Sequence, residues 1–81
     1  MSALIAAYKA VTHDNPAVMR PIAEAAVHSG VNLVTQRGSV LLRKVEEAET
    51  ARNADEMSLK ALEISTASFN LSFACNRALF E

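Results

Sequence analysis

The sequence predicts an all-α protein: a small three- or four-helix unit with a C-terminal helical hairpin. Three observations lead there. The 81 residues contain only two Gly and two Pro against a background rich in Ala, Leu, Glu, Arg and Ser. The β-branched residues never line up in the alternating runs that strands require. From Met57 to Glu81 there is no Gly or Pro at all, and apolar residues recur there at helical spacing. The length allows one domain at most, residues 1–81, and a chain this short builds a thin core to which partners often add.

Ser2 is placed to cap a short first helix from Ala3 to about Val11, with Leu4, Ile5, Tyr8 and Val11 on one face. The stretch Thr12-His13-Asp14-Asn15-Pro16 is the clearest break in the chain. Asn15 suits an N-cap and Pro16 the first helical position, where a missing N–H costs nothing. A second helix follows to about Ser29, with Val18, Ile22, Ala25 and Ala26 at helical spacing and Gly30 as the left-handed residue past its end. Pro21 lies inside this pattern and predicts either a kink or a later start.

A third helix spans Val31 to about Arg52, with Val34, Leu41, Val45 and Ala48 in one stripe. Gly38 sits within it and marks a kink, a helix start near Ser39, or a close helix contact. Asn53-Ala54-Asp55-Glu56 resembles a capping box with Asn in the cap role, which ends the third helix near Arg52 and starts a fourth at Ala54. The competing reading is one unbroken helix from about Ser39 to Phe80, because neither Gly nor Pro lies between them.

The last helix carries two apolar stripes. One is Leu59, Leu62, Thr66, Phe69, Phe73 and Phe80; the other is Met57, Ala61, Ile64, Ser68, Leu71, Cys75 and Ala78. Together they exceed the ~100° arc of an ordinary surface helix. Such a helix is either central in a bundle or shared between an internal core and a partner. The candidate interaction face drawn from these stripes is Leu59, Leu62, Phe69, Leu71, Phe73 and Phe80.

The polar residues offer little chemistry. His13 and Asp14 adjoin in a loop, and His28 sits at a helix end, where an imidazole complements the carbonyl end of the dipole. Two histidines and one distant cysteine do not match zinc-ligand spacing. Cys75 reads as a small buried hydrophobe, with a reactive thiol or an intermolecular disulfide as the alternative. Glu46, Glu47 and Glu49 stand beside Arg43, Lys44 and Arg52, which reads as a solvated, ion-paired face. The glycines are isolated and form no phosphate loop. No catalytic, cofactor-binding or metal site is expected, and an enzyme is the most distant reading.

Net charge is −1, from eight basic and nine acidic side chains. That balance makes nucleic acid an unlikely partner, because such affinity rests on an excess of Lys and Arg. Arg37, Arg43 and Lys44 are the only hint of it. No cleavable signal peptide is read, no run reaches the ~20 apolar residues of a membrane span, and the single cysteine fits a cytoplasmic or otherwise reduced setting.

Within residues 57–80, Ala61-Leu62-Glu63, Ser68-Phe69-Asn70-Leu71 and Asn76-Arg77-Ala78-Leu79 resemble the carboxy-terminal helix of small flagellar basal-body and type III secretion rod components. That resemblance covers only the last helix. It implies a helix that packs side by side with others in a tubular assembly. The first half of the chain shows no matching pattern. The functional expectation is therefore non-enzymatic protein–protein interaction, as a homo-oligomer, an adaptor or a subunit of a larger complex. A small regulatory nucleic-acid-binding protein is the alternative.

Overall fold

The computed structural model describes residues 15–80. Over that span the chain forms three helices and no strand: α1 (Pro16–Val27), α2 (Asn32–Glu49) and α3 (Ala54–Phe80). The predicted first helix and the His13–Asp14 loop lie outside the described residues.

Each helix boundary has a local cause. Asn15 is extended and its Oδ1 accepts the Ala17 N–H at 2.8 Å, with Pro16 in the first turn. Pro21 neither ends nor delays α1. It and Ala17, whose carbonyl it leaves without an intrahelical donor, both face solvent, so water can take that acceptor. His28 is the C-cap residue, and its backbone N–H donates back to Ala26 and Glu24. Gly30 follows at φ 79°, the left-handed conformation predicted for it. The α1–α2 corner is then tied by two further bonds. Ser29 Oγ accepts the Val31 N–H at 3.3 Å, and the Thr35 hydroxyl donates to the Val27 carbonyl at 3.3 Å.

Residues 50–53 separate α2 from α3, so the hairpin reading holds over the continuous helix. Thr50 closes α2, its N–H and its hydroxyl both donating to the Glu47 carbonyl. Asn53 opens α3: its Oδ1 accepts the Glu56 N–H at 2.9 Å. Glu56 reaches back, but to the N–H of Arg52 at 2.7 Å, one residue earlier than in a standard capping box. Asp55 and Glu56 complement the positive end of the α3 dipole and Arg77 the negative end.

Helix α2 is the central element, and α1 and α3 each pack chiefly against it. Its buried positions are Val34, Gly38, Leu41, Val45 and Ala48, which confirms the predicted stripe and puts Gly38 inside it. Gly38 marks neither a kink nor a helix start. It is a point of close approach by α1: a Cβ there would lie 2.6 Å from the Ala26 Cβ and 3.0 Å from the Val27 nitrogen. This close approach corrects the expected face of α1. Met19, Ala23 and Ala26 are buried and Ile22 is partly so, whereas Val18 is 42% exposed. The helix has turned its small alanines, not its valine, toward the glycine.

The core continues into α3 through Ile64, Ala67, Leu71, Ala74 and Cys75. Ser68 is also fully buried, its hydroxyl satisfied by the Ser65 carbonyl at 2.9 Å. Among the described residues no helix is long and apolar enough to cross a membrane.

Candidate interaction face on α3

At about 100° per residue, the two apolar stripes of α3 fall on opposite sides of the helix. One side meets α2. The other meets solvent: Leu59 is 57% exposed, Leu62 66%, Phe69 53%, Phe73 57% and Phe80 72%. Since α2 and not α3 is the central helix, no element among the described residues covers that side. Leu71 does not belong with these five. It is 2% exposed and sits in the core on the opposite side, so the expected face loses that residue.

The outer stripe has an ordered spacing. Leu59, Leu62, Thr66, Phe69, Phe73, Asn76 and Phe80 follow one another in alternating steps of three and four residues, the a/d spacing of a helix-pairing seam. Phe69 and Phe73 already hold each other edge to face, with ring centroids 5.1 Å apart and planes at 80°. That contact presets two large side chains and reduces the rotamer freedom that docking removes. Sequence reasoning found most of this stripe but passed over Asn76, whose polarity hid its place in the spacing.

Beside the seam, a groove of about 280 Å³ runs between α2 and α3, lined by Val40, Leu62, Thr66, Ala67 and Asn70 with Lys44 and Glu63 at one end. Val40 is 38% exposed and widens the apolar surface onto α2. It escaped notice in the sequence because it lies off the α2 core stripe. A larger hollow of about 540 Å³ opens at the hairpin turn, where three of its four charged side chains, Glu47, Lys60 and Glu56, are already engaged. Glu47 and Lys60 pair with each other at 3.0 Å, and Glu56 caps the helix start.

Of the charges expected on the α2 surface, Lys44 and Glu47 join Lys60 and Glu63 of α3 in a four-membered ring across the hairpin, while Glu49 pairs with Arg20 of α1. Lys44 lies 3.2 Å from Glu63 and 3.7 Å from Glu47; Lys60 lies 3.0 Å from Glu47 and 3.2 Å from Glu63. The bond from Lys60 holds the Glu47 carboxyl below the usual range, and the bond from Lys44 does the same for Glu63, with Lys60 adding to it. Glu47, and after it Glu63, hold Lys60 above its ordinary value. The lowered carboxylates stabilise the fold fully above the unfolded value near 4.5 and lose that contribution as pH falls through their folded values. The raised lysine keeps its contribution below 10.5 and loses it only as pH climbs past its folded value. Thermal melts should therefore be level through neutral pH and fall in acid. Glu63→Gln should flatten that acid limb, and an acid limb unchanged in the variant would show that the ring plays no part.

The ring also bears on the basic hint. Lys44 is engaged with two glutamates, which leaves Arg37 and Arg43 as exposed basic side chains on α2, well apart around the helix. A phosphate track needs more. Cys75 is 2% exposed and burial pushes its thiol above the ordinary 9.0, so it stays protonated and poorly nucleophilic at neutral pH. Among the described residues no group of three or more His, Cys, Asp and Glu side chains could hold a metal ion.

Comparison with known protein families, with curated proteins and with solved structures finds no match to this chain.

Proposed function

We propose that this chain is a non-enzymatic protein–protein interaction or assembly module, acting as a homo-oligomer, an adaptor or a subunit of a larger complex. One observation carries the reading: the leucine and phenylalanine seam on the outer side of α3 is more than half exposed at every one of its five large apolar residues. Single exposed apolar residues are ordinary, but a contiguous row of this size on one helix face is characteristic of an interaction surface. A subunit of a secretion-related assembly is the form of this reading that the resemblance of residues 57–80 implies. The nucleic-acid alternative has only Arg37 and Arg43 left to support it, once Lys44 is committed to glutamates.

The test is association measured by sedimentation across concentrations, with affinity capture alongside, for wild type and Phe69→Asp. Phe69 is 53% exposed, so the variant should keep the wild-type circular dichroism while losing association. A wild-type chain that stays monomeric and retains no protein from extract would overturn the proposal.

A further inference from the structure

We infer that the occupant of the outer α3 face is the same face of a second copy, with the two α3 helices antiparallel and crossing near Thr66. This rests on the reading above that the face binds protein.

Three features of the face point to a copy of itself. First, it is uncharged through its middle: no charged residue lies between Glu63 and Arg77, and Glu63 is turned into the hairpin ring. Two identical faces can meet there without burying like charges. Second, the formal charges on this side stand at its ends and differ in sign, Asp55 in the first turn and Arg77 in the last. An antiparallel pair brings each Asp55 toward the Arg77 of the other copy and opposes the two helix dipoles. A parallel pair would set acid beside acid and base beside base. Third, the side chains are complementary in size about Thr66. In that register Leu59 stands opposite Phe73 and Leu62 opposite Phe69, so each smaller aliphatic group faces a larger ring. The contact is isologous and closes on itself as a dimer.

The area is of the right order. A phenylalanine offers ~150–250 Å² when fully exposed, so these five half-exposed side chains present on the order of 500 Å² per copy. Thr66, Asn76 and the serines Ser58, Ser65 and Ser72 on one flank extend this toward the ~800 Å² per partner of a standard interface. The small serines also let a second helix approach closely along that flank.

Sedimentation equilibrium of the full chain should show a reversible monomer–dimer equilibrium that stops at the dimer. Phe73→Asp should weaken it by a hundredfold or so, with circular dichroism unchanged. The orientation is read by oxidative cross-linking in a Cys75→Ala background. Leu59→Cys and Phe73→Cys chains, mixed and oxidised with diamide, should join to each other in preference to themselves. Homodisulfides alone would overturn the antiparallel arrangement. Open-ended polymers, or a monomer at every concentration, would overturn the dimer. A monomer that still binds a different protein in a Phe69-dependent way would overturn this inference while leaving the proposed function standing.

Discussion

Gly38→Val should destabilise the fold by about 3 kcal/mol or more, and Gly38→Ala by about 1–2 kcal/mol, as measured by urea denaturation followed at 222 nm. The two effects of the alanine variant oppose each other. Alanine in a helix interior is favoured over glycine by about 1 kcal/mol, because glycine loses more backbone freedom on folding. Against this, the new Cβ would stand 2.6 Å from the Ala26 Cβ, 3.0 Å from the Val27 nitrogen and 3.1 Å from the Ala26 carbonyl carbon. Two of those three atoms are backbone, and a backbone cannot swing aside as a side chain tip can. Relief requires α1 to lift from α2 as a unit, which strips contact from Met19, Ala23 and Ala26 together. Overpacking therefore outweighs helix propensity, and valine, with two further methyl groups, only enlarges the clash. A shift of 1 kcal/mol corresponds to about 4–8 °C in Tm for a domain of this size, so the alanine variant is readily resolved by thermal melting. A Gly38→Ala chain as stable as wild type would mean that α1 does not rest on α2 at this point.

The same glycine marks how far the sequence is legible. Its helical setting follows from the stripe of Val34, Leu41, Val45 and Ala48, which is periodic enough to predict burial without knowing the neighbour. That the glycine is a docking point, and not a kink, depends on where a second helix lies, and no local pattern records that. Boundaries set by local chemistry are read well: Asn15 with Pro16, Gly30, and Asn53 with Glu56 act within a few residues of themselves. Faces set by tertiary pairing are read poorly. On α1 the larger aliphatic Val18 looks like the core residue, yet the closeness demanded by Gly38 selects Ala23 and Ala26. On α3 the spacing leaves open whether the phenylalanines sit in the middle of a bundle or on a face shared with a partner, and the side that meets α2 is the one bearing Ala67, Ser68, Ala74 and Cys75. In hindsight residue size was the available signal. Small residues let two helices approach closely, and a row of three phenylalanines needs a different and wider neighbour.

That division of α3 into two faces yields the second large effect. Leu71→Ala should cost about 2–5 kcal/mol, while Phe73→Ala should change the stability of the monomer by no more than about 0.5 kcal/mol. By sequence alone the ranking would be reversed, since phenylalanine carries more apolar surface than leucine and both lie in the same uncharged stretch. Burial decides otherwise. Leu71 is 2% exposed and shares the core with Ile64, Ala74 and Cys75, so its removal leaves a cavity as well as the loss of transfer energy. Phe73 is 57% exposed; its ring meets that of Phe69 and borders a shallow hollow beside Leu33 and Arg37, with more than half of it in water, so truncation leaves no enclosed cavity and loses little in the monomer. Urea denaturation at protein concentrations well below the association range measures both values free of any partner. At higher concentration the contrast should change character. Leu71→Ala keeps a dependence of Tm on protein concentration, because its outer face is intact, whereas Phe73→Ala loses that dependence along with the interface. Equal losses for both variants in the dilute monomer would mean that α3 presents its phenylalanines inward, and the face proposed for association would be part of the core.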